Sequence, residues 1–389
     1  MVYIPVSRDV YSIKGGRRMK VIAFYLPQFH CIPENDKWWG RGFTEWINVK
    51  KARPLFKNHY QPRIPLNDNY YNLLDDKVME WQANIAKEHG VTGFCFYHYW
   101  FNGKMLLEKP VENFLQNIGI EINFCISWAN EPWTNAWVSS NNKMLMEQKY
   151  GNKEDWKTHF DYLLPFFKDK RYIKEDNKPL FIIYRPDIMD CYKEMMGYWN
   201  QLAKDNGFGG IKFAFQHPLF AYDNNKDKSC FDYQIEYQPV TAIYWQQNGK
   251  KYIIKSKIHS LLLKYLKTNV VRKKKLQLFN YDERWQSIIE HHPKKGQIPL
   301  PIPGAFVDWD NTPRRGETGS LYQGAHPEKF KQYFKLQVEN CINNYHQDKL
   351  FIFAWNEWAE GGYLEPDKRY KYAYLEGIKE VLEELGELE

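Results

Sequence analysis

Two glutamates three positions apart, Glu357 and Glu360, stand within the run Trp355-Asn356-Glu357-Trp358-Ala359-Glu360-Gly361. Paired carboxyl groups in one pocket are what glycosidic-bond chemistry needs. One protonates the departing oxygen and the other acts as base or nucleophile, with pKa values driven apart by their surroundings. Taken alone, Glu-x-x-Glu also describes two solvated loop carboxylates or a helix cap. Its place directly after a buried apolar run, in an aromatic frame with Asn356 and Trp358, favours chemistry. Asp308-x-Asp310, followed by Asn311 and Arg314, is a second acidic pair. It suits either a divalent cation held against a nucleotide-sugar diphosphate, because hard cations take carboxylate oxygens, or sugar hydroxyls, the reading favoured here. Glu131, next to Asn130, is a substrate ligand or a salt-bridge partner for Arg185. His98 and His217 are proton carriers, sugar-hydroxyl ligands or hydrogen-bonded rim histidines.

These residues share one kind of position. Eight short apolar runs, rich in β-branched and aromatic residues, read as buried parallel strands. They are Lys20–Pro27, Val91–His98, Ile122–Trp128, Leu180–Arg185, Ile211–Gln216, Asp232–Tyr237, Gly304–Trp309 and Leu350–Trp355. Helical patterns lie between several of them: Asp76–Gly90, Pro110–Asn117, Trp156–Lys168, Met189–Asn206, Pro327–Tyr345 and Ala373–Leu388. Eight strands alternating with helices predict an α/β fold, a (β/α)8 TIM barrel. No GxGxxG or phosphate-binding loop follows any strand, which disfavours an open doubly wound sheet. A barrel works at the carboxyl ends of its strands. Those ends carry Tyr25 and Gln28, then His98 and Tyr99, then Trp128, Asn130 and Glu131. His217, Tyr237 and the two acidic motifs follow.

Composition narrows the function classes. The chain has 389 residues, 43% hydrophobic and 26% charged, which excludes disordered and collagen-like classes. Aromatic residues make up 17%, with 15 Trp, 28 Tyr and 24 Phe; aromatic faces stack on the apolar sides of sugars or bases. A net charge of +7 is mild over this length. Six scattered cysteines show no CxxC, and Cys95 and Cys125 read as buried thiols, which favours a reducing compartment. No secretory leader or membrane-length apolar window is read in the sequence. The expectation is a cytoplasmic protein.

Two insertions elaborate the expected single barrel of 1–389. Residues 28–66, after strand one, form an aromatic active-site loop with Trp38, Trp39, Phe43, Trp46 and Tyr60. Residues 245–300, after strand six, carry a basic helical stretch. Its segment 251–275 reads as a solvated helix face, with at most peripheral contact to the inner membrane. Its basic residues lie away from the aromatic strand ends, so nucleic acid is not expected.

Six separated motifs then carry a family resemblance. Ala23–His30 (AFYLPQFH), Trp38–Trp46 (WWGRGFTEW), Gly93–Trp100 (GFCFYHYW), Trp128–Glu131 (WANE), Asp308–Arg314 (DWDNTPR) and Trp355–Gly361 (WNEWAEG) resemble the WbsX family, in order, across about residues 20–380. That family is labelled a glycosyltransferase of lipopolysaccharide or O-antigen biosynthesis. It is similar in turn to the family 99 glycoside hydrolases, endo-α-mannosidases with a (β/α)8 barrel. The resemblance implies that Glu357 is the base that takes the sugar 2-hydroxyl proton and Glu360 the acid on the leaving oxygen. The route passes through a 1,2-anhydro sugar and ends in net retention. The family 99 motif has His where Ala359 stands here, so one pocket hydrogen bond is missing.

Residues and resemblance together predict a retaining endo-glycosidase or transglycosylase, without cofactor or metal. Its substrate would be a surface oligosaccharide or polysaccharide, free or lipid-linked. A nucleotide-sugar glycosyltransferase is the second expectation and a non-catalytic carbohydrate-binding protein the third.

Overall fold

The computed structural model describes residues 18–134, 144–246 and 275–388. Nine parallel strands form a nearly closed barrel: β1 (Lys20–Tyr25), β2 (Val91–Phe101), β3 (Asn123–Trp128), β4 (Lys178–Ile183), β5 (Lys212–Phe215), β6 (Tyr233–Ile235), β7 (Leu300–Ile302), β8 (Gly304–Phe306) and β9 (Lys349–Phe353). In space the order runs β7-β6-β5-β4-β3-β2-β1-β9-β8. The ends of that path, β7 and β8, are one stretch of chain interrupted at Pro303.

Sequence chemistry explains the interruption. A proline has no N–H, so a strand broken by proline cannot hold a continuous ladder. Below the break the stretch pairs with β6; above it, with β9. The joint is carried by carbonyls: Ile302 O accepts from Glu236 N at 3.0 Å and Pro303 O from Phe351 N at 3.2 Å. Gly304 is required because a Cβ there would lie 1.9 Å from Glu236 O. The seventh expected strand, Gly304–Trp309, therefore begins earlier, at Leu300, and ends at Phe306.

Helices cover the outside. Asp76–Glu88 buries Met79, Gln82, Ala83, Ile85 and Ala86, is capped by Asp75 accepting from Lys77 N, and is followed by Gly90 at φ 81°. Lys153–Lys168 opens with a capping box between Asn152 and Asp155. Pro327–Asn343 and Ala373–Leu385 complete the layer beside β9.

The pleat sends successive strand residues to opposite faces. Phe24 meets Tyr97, Tyr237 and Phe351 at ring separations of 5.5–5.7 Å inside the barrel. Its neighbour Tyr25 points outward, its hydroxyl donating to Gln82 Oε1 at 2.6 Å on the covering helix. Interior aromatics fill the barrel, each contributing roughly 1.5–3 kcal/mol on burial. The 28–66 stretch contributes two short helices, Pro33–Trp39 and Glu45–Lys51. The basic stretch at 251–275 lies almost wholly outside the described residues. The described part of 245–300 includes the helix Tyr281–Ile289. Among the described residues, no helix is long and apolar enough to cross a membrane.

Candidate active site

After β9 the chain makes a tight hairpin in which Asn356–Glu357 pairs antiparallel with Gly362–Tyr363, closed by a 3-10 turn over Trp358–Glu360. Gly361 ends the turn at φ 70°, and a Cβ there would lie 2.8 Å from Asp310 N and 3.1 Å from Arg63 Cζ. Only glycine fits both the left-handed backbone and that close approach. Asn356 fixes the hairpin to the end of β1: its Oδ1 accepts from Leu26 N at 2.8 Å and its Nδ2 donates to Leu26 O at 3.0 Å. Trp358 lies beneath, stacked on Tyr363 at 3.8 Å, its indole N–H donating to Glu365 at 2.6 Å.

The hairpin brings Glu357 and Glu360 onto one guanidinium. Arg314 Nη1 donates to Glu360 Oε1 at 2.5 Å, and Nη2 lies 3.4 Å from Glu357 Oε2. A third carboxylate joins from the aromatic loop, where Glu45 Oε2 accepts from Arg314 Nε at 3.1 Å. Glu45, Glu357 and Glu360 are 5–6% exposed. Three carboxylates against one guanidinium in a nearly dry pocket cannot all ionise without large cost. Burial is the main force raising Glu357, to about 8; Glu360 and Glu45 add to it and Arg314 opposes it. Glu360 is raised as well, chiefly by burial, with Arg314 again opposing. The shorter Arg314 contact favours charge on Glu360, so Glu357 is the better proton holder.

Four tyrosines surround the pair. Burial pushes all four phenols up, with Glu357 adding to the effect on Tyr97 and Tyr99 and Glu360 to that on Tyr184 and Tyr237. Gln28 Nε2 donates to Tyr99 Oη at 3.0 Å, and Tyr99 lies against Trp133 at 5.1 Å. Of the sequence-derived candidates, the structure brings together Gln28, Tyr99, Tyr237, Arg314, Glu357 and Glu360. A separate cleft of about 430 Å3, lined by Leu66, Asn67, Asp68, Asn69, Tyr70, Trp81, Pro366 and Tyr372, contains neither glutamate.

Other candidates are held in the scaffold. Tyr25, His98 and Trp128 face the helix layer, a consequence of the two-residue strand period. His98 Nε2 sits 2.9 Å from His159 Nε2, and burial lowers its pKa to about 3, so at neutral pH the ring is uncharged with a single N–H. Trp128 Nε1 donates to Trp100 O at 3.1 Å. Asn130 clamps the Arg185 backbone through contacts of 2.7 and 2.9 Å. Glu131 pairs with Arg185 at 2.6 Å. His217 caps a short helix by accepting from Leu219 N at 3.2 Å. Asn311 Oδ1 accepts from Ser320 N at 2.7 Å.

The acidic pair is fully engaged by protein groups. Asp308 Oδ2 accepts from Arg63 Nη2 at 2.7 Å and its Oδ1 from Trp309 N at 2.7 Å. Asp310 Oδ2 meets His59 at 2.9 Å and Gln61 at 2.7 Å, while Oδ1 accepts from the Thr312 hydroxyl at 2.6 Å. Among the described residues, no group of three or more His, Cys, Asp or Glu side chains is arranged to hold a metal ion. Sequence reasoning missed Glu45, Tyr97 and Tyr184 as members of the site and Arg63 as the partner of Asp308. Glu45 was visible as the lone acid within Trp38–Trp46, but nothing in its spacing tied it to residue 314.

Comparison with known proteins decides the family. The model of Glycosyltransferase WbsX matches residues 21–378. The chain belongs to the WbsX glycosyltransferase family. Two curated relatives within reach are both described as uncharacterized protein WxcX, from two strains of Xanthomonas campestris pv. campestris. Each is 33% identical, over 364 and 367 residues, or 93% of this chain and 49% of theirs. The chain thus spans about half the length of the curated relatives it matches. Solved structures share the fold. An endo-alpha-mannosidase of glycoside hydrolase family 99 from Bacteroides thetaiotaomicron aligns at TM-score 0.55 and 14% identity, covering 95% of this chain and 98% of that one. A glycoside hydrolase-like protein aligns at TM-score 0.55 and 11% identity, covering 98% and 97%. The segment matched by the WbsX family model contains both barrel-mouth glutamates, Arg314 and Glu45.

Proposed function

We propose that this WbsX-family chain is a retaining endo-glycosidase or transglycosylase acting on a surface polysaccharide or its free or lipid-linked precursor, with Glu357 and Glu360 as its reacting carboxyl groups. One observation carries the reading: two buried glutamates at the mouth of a barrel share a single guanidinium, which separates their proton affinities as acid–base chemistry on a glycosidic bond requires. The tyrosine ring around them offers hydroxyls for a hydroxyl-rich ligand.

The 2-hydroxyl route places the base at Glu357 and the acid at Glu360. The unequal Arg314 contacts favour the proton on Glu357 instead. That route therefore needs substrate to draw Arg314 toward Glu357, so that the proton passes from Glu357 to Glu360; Glu357 then accepts the 2-hydroxyl proton while Glu360 protonates the leaving oxygen. Nuclear magnetic resonance of the first product's anomeric centre tests the proposal on a panel of bacterial surface polysaccharides. Retention supports it, and inversion or no cleavage with any member of the panel rejects it.

A second reading, a nucleotide-sugar glycosyltransferase, is favoured by the family's own description. The engagement of Asp308 and Asp310 by Arg63, His59 and Gln61 weighs against a metal-diphosphate site at that motif.

A further inference from the structure

We propose that Glu45 is a positioning residue of the carboxylate site: it seats Arg314 through Nε and so sets how the two terminal guanidinium nitrogens are divided between Glu357 and Glu360. The inference rests on the paired-glutamate reading and adds to it a residue on a different element.

The geometry is specific. Glu45 is the first residue of the helix Glu45–Lys51, and its N–H points to Gln28 O at 3.4 Å, which ties this helix to the exit of β1. Its Oε2 takes Nε of Arg314 at 3.1 Å and also lies 3.4 Å from Asn48 Nδ2. A guanidinium is a rigid planar fork. Gripped at Nε, it must present its Nη edge to the hairpin, where the contacts are unequal: 2.5 Å to Glu360 and 3.4 Å to Glu357. A small swing about the seated Nε exchanges the short contact between the two glutamates.

Charge also argues for a role beyond packing. With the proton held on Glu357, Glu360 alone neutralises Arg314. A further buried anion costs stability unless it is used, and a glutamine at position 45 would accept from Nε without that cost. Facing the glutamates are Arg314 and Arg315 from the Thr312–Arg315 turn, Glu45 from its helix, Tyr97 and Tyr99 from β2, and Tyr184 and Tyr237 from the exits of β4 and β6. Within this set Glu45 is the acidic group that does not belong to the hairpin.

The test is carboxyl titration of Glu357 and Glu360 by infrared difference spectroscopy on 13C-glutamate-labelled protein, assigned with E357Q and E360Q. In E45Q both midpoints should fall by about one pH unit or more, the size of a neighbouring charge's effect. E45D, which keeps the charge, should stay closer to wild type than E45Q. The alkaline limb of kcat/KM should move to lower pH with the E45Q midpoints. Unmoved midpoints, equal shifts in E45D and E45Q, or a uniform loss of rate with an unchanged pH profile would overturn the proposal. If E45Q fails to fold, R314K, which keeps the cation but has no Nε to seat, should abolish the difference between the two midpoints; a retained difference also overturns it. Because titration needs no turnover, shifted midpoints with no bond cleaved by any variant would reject the glycosidase reading and leave the role of Glu45 standing.

Discussion

The Asp308 carboxylate accepts a 2.7 Å hydrogen bond from Arg63 Nη2, a residue 245 positions earlier in the chain. Both side chains are 9% exposed. Burial raises Asp308 while Arg63 pulls it back, so the pair is a structural tie between the aromatic loop and the exit of β8. Removing one member of a buried pair strands the other charge, at roughly 3–5 kcal/mol. Asp308→Ala should lower thermal stability accordingly. A nucleoside-diphosphate sugar with a divalent cation should give no melting shift that depends on Asp308. Calorimetry checks both; a metal-dependent shift lost in Asp308→Ala would favour the glycosyltransferase reading.

Tyr25 tests the facing of β1. Tyr25→Phe leaves Gln82 Oε1 without its buried donor, which costs roughly 1–3 kcal/mol. Chemical denaturation should report that loss while kcat and KM stay at wild-type values. A rise in KM with unchanged stability would return Tyr25 to the substrate.

Stability should fall as pH rises through the titration of Glu357. Its folded pKa, about 8 and raised mainly by burial, lies above the ordinary 4.5. Between those values the folded chain binds more protons than the unfolded one, so stability is highest below the window and is lost across it. Glu357→Gln, which cannot ionise, should therefore melt higher than wild type at pH 8–9 and lose that advantage near pH 5. Parallel melting curves at all pH values would show that Glu357 is not raised.

Gly361→Ala adds a Cβ where Asp310 N and Arg63 Cζ already crowd and the backbone is left-handed. Strain of about 1–3 kcal/mol should appear as lower stability. Because the Trp358–Glu360 turn must shift, kcat should fall further than in Tyr25→Phe. An Ala variant with wild-type turnover would mean that the turn does not need its observed shape.

Much of this was legible in the residues because barrel strands buried on both faces leave an unmistakable apolar signature. Lys20–Tyr25 and Lys349–Phe353 fall where the runs KVIAFYLP and LFIFAW place them, and Glu357 and Glu360 stand beyond the last of these. Facing was harder to read. His98, Trp128 and Tyr25 occupy strand ends, yet one residue of register separates the mouth from the helix layer, as Tyr97 and Tyr99 beside His98 demonstrate. Long-range pairing was legible only for Glu131 and Arg185, where a salt bridge was one of two readings. Nothing local ties Glu45 to Arg314, or Arg63 to Asp308, because folding alone brings such residues together. The split of the seventh strand follows from Pro303, whose missing N–H was visible but whose consequence depended on the neighbours at β6 and β9.

Turnover of E357Q and E360Q on a cleavable glycan, measured beside their melting temperatures and ligand affinity, addresses the pair of carboxyl groups most directly. Each substitution should slow turnover by roughly 10²–10⁴-fold, the usual worth of a positioned acid or base, while the fold and glycan affinity persist. Wild-type turnover in either variant would contradict the assignment of bond cleavage to these two side chains.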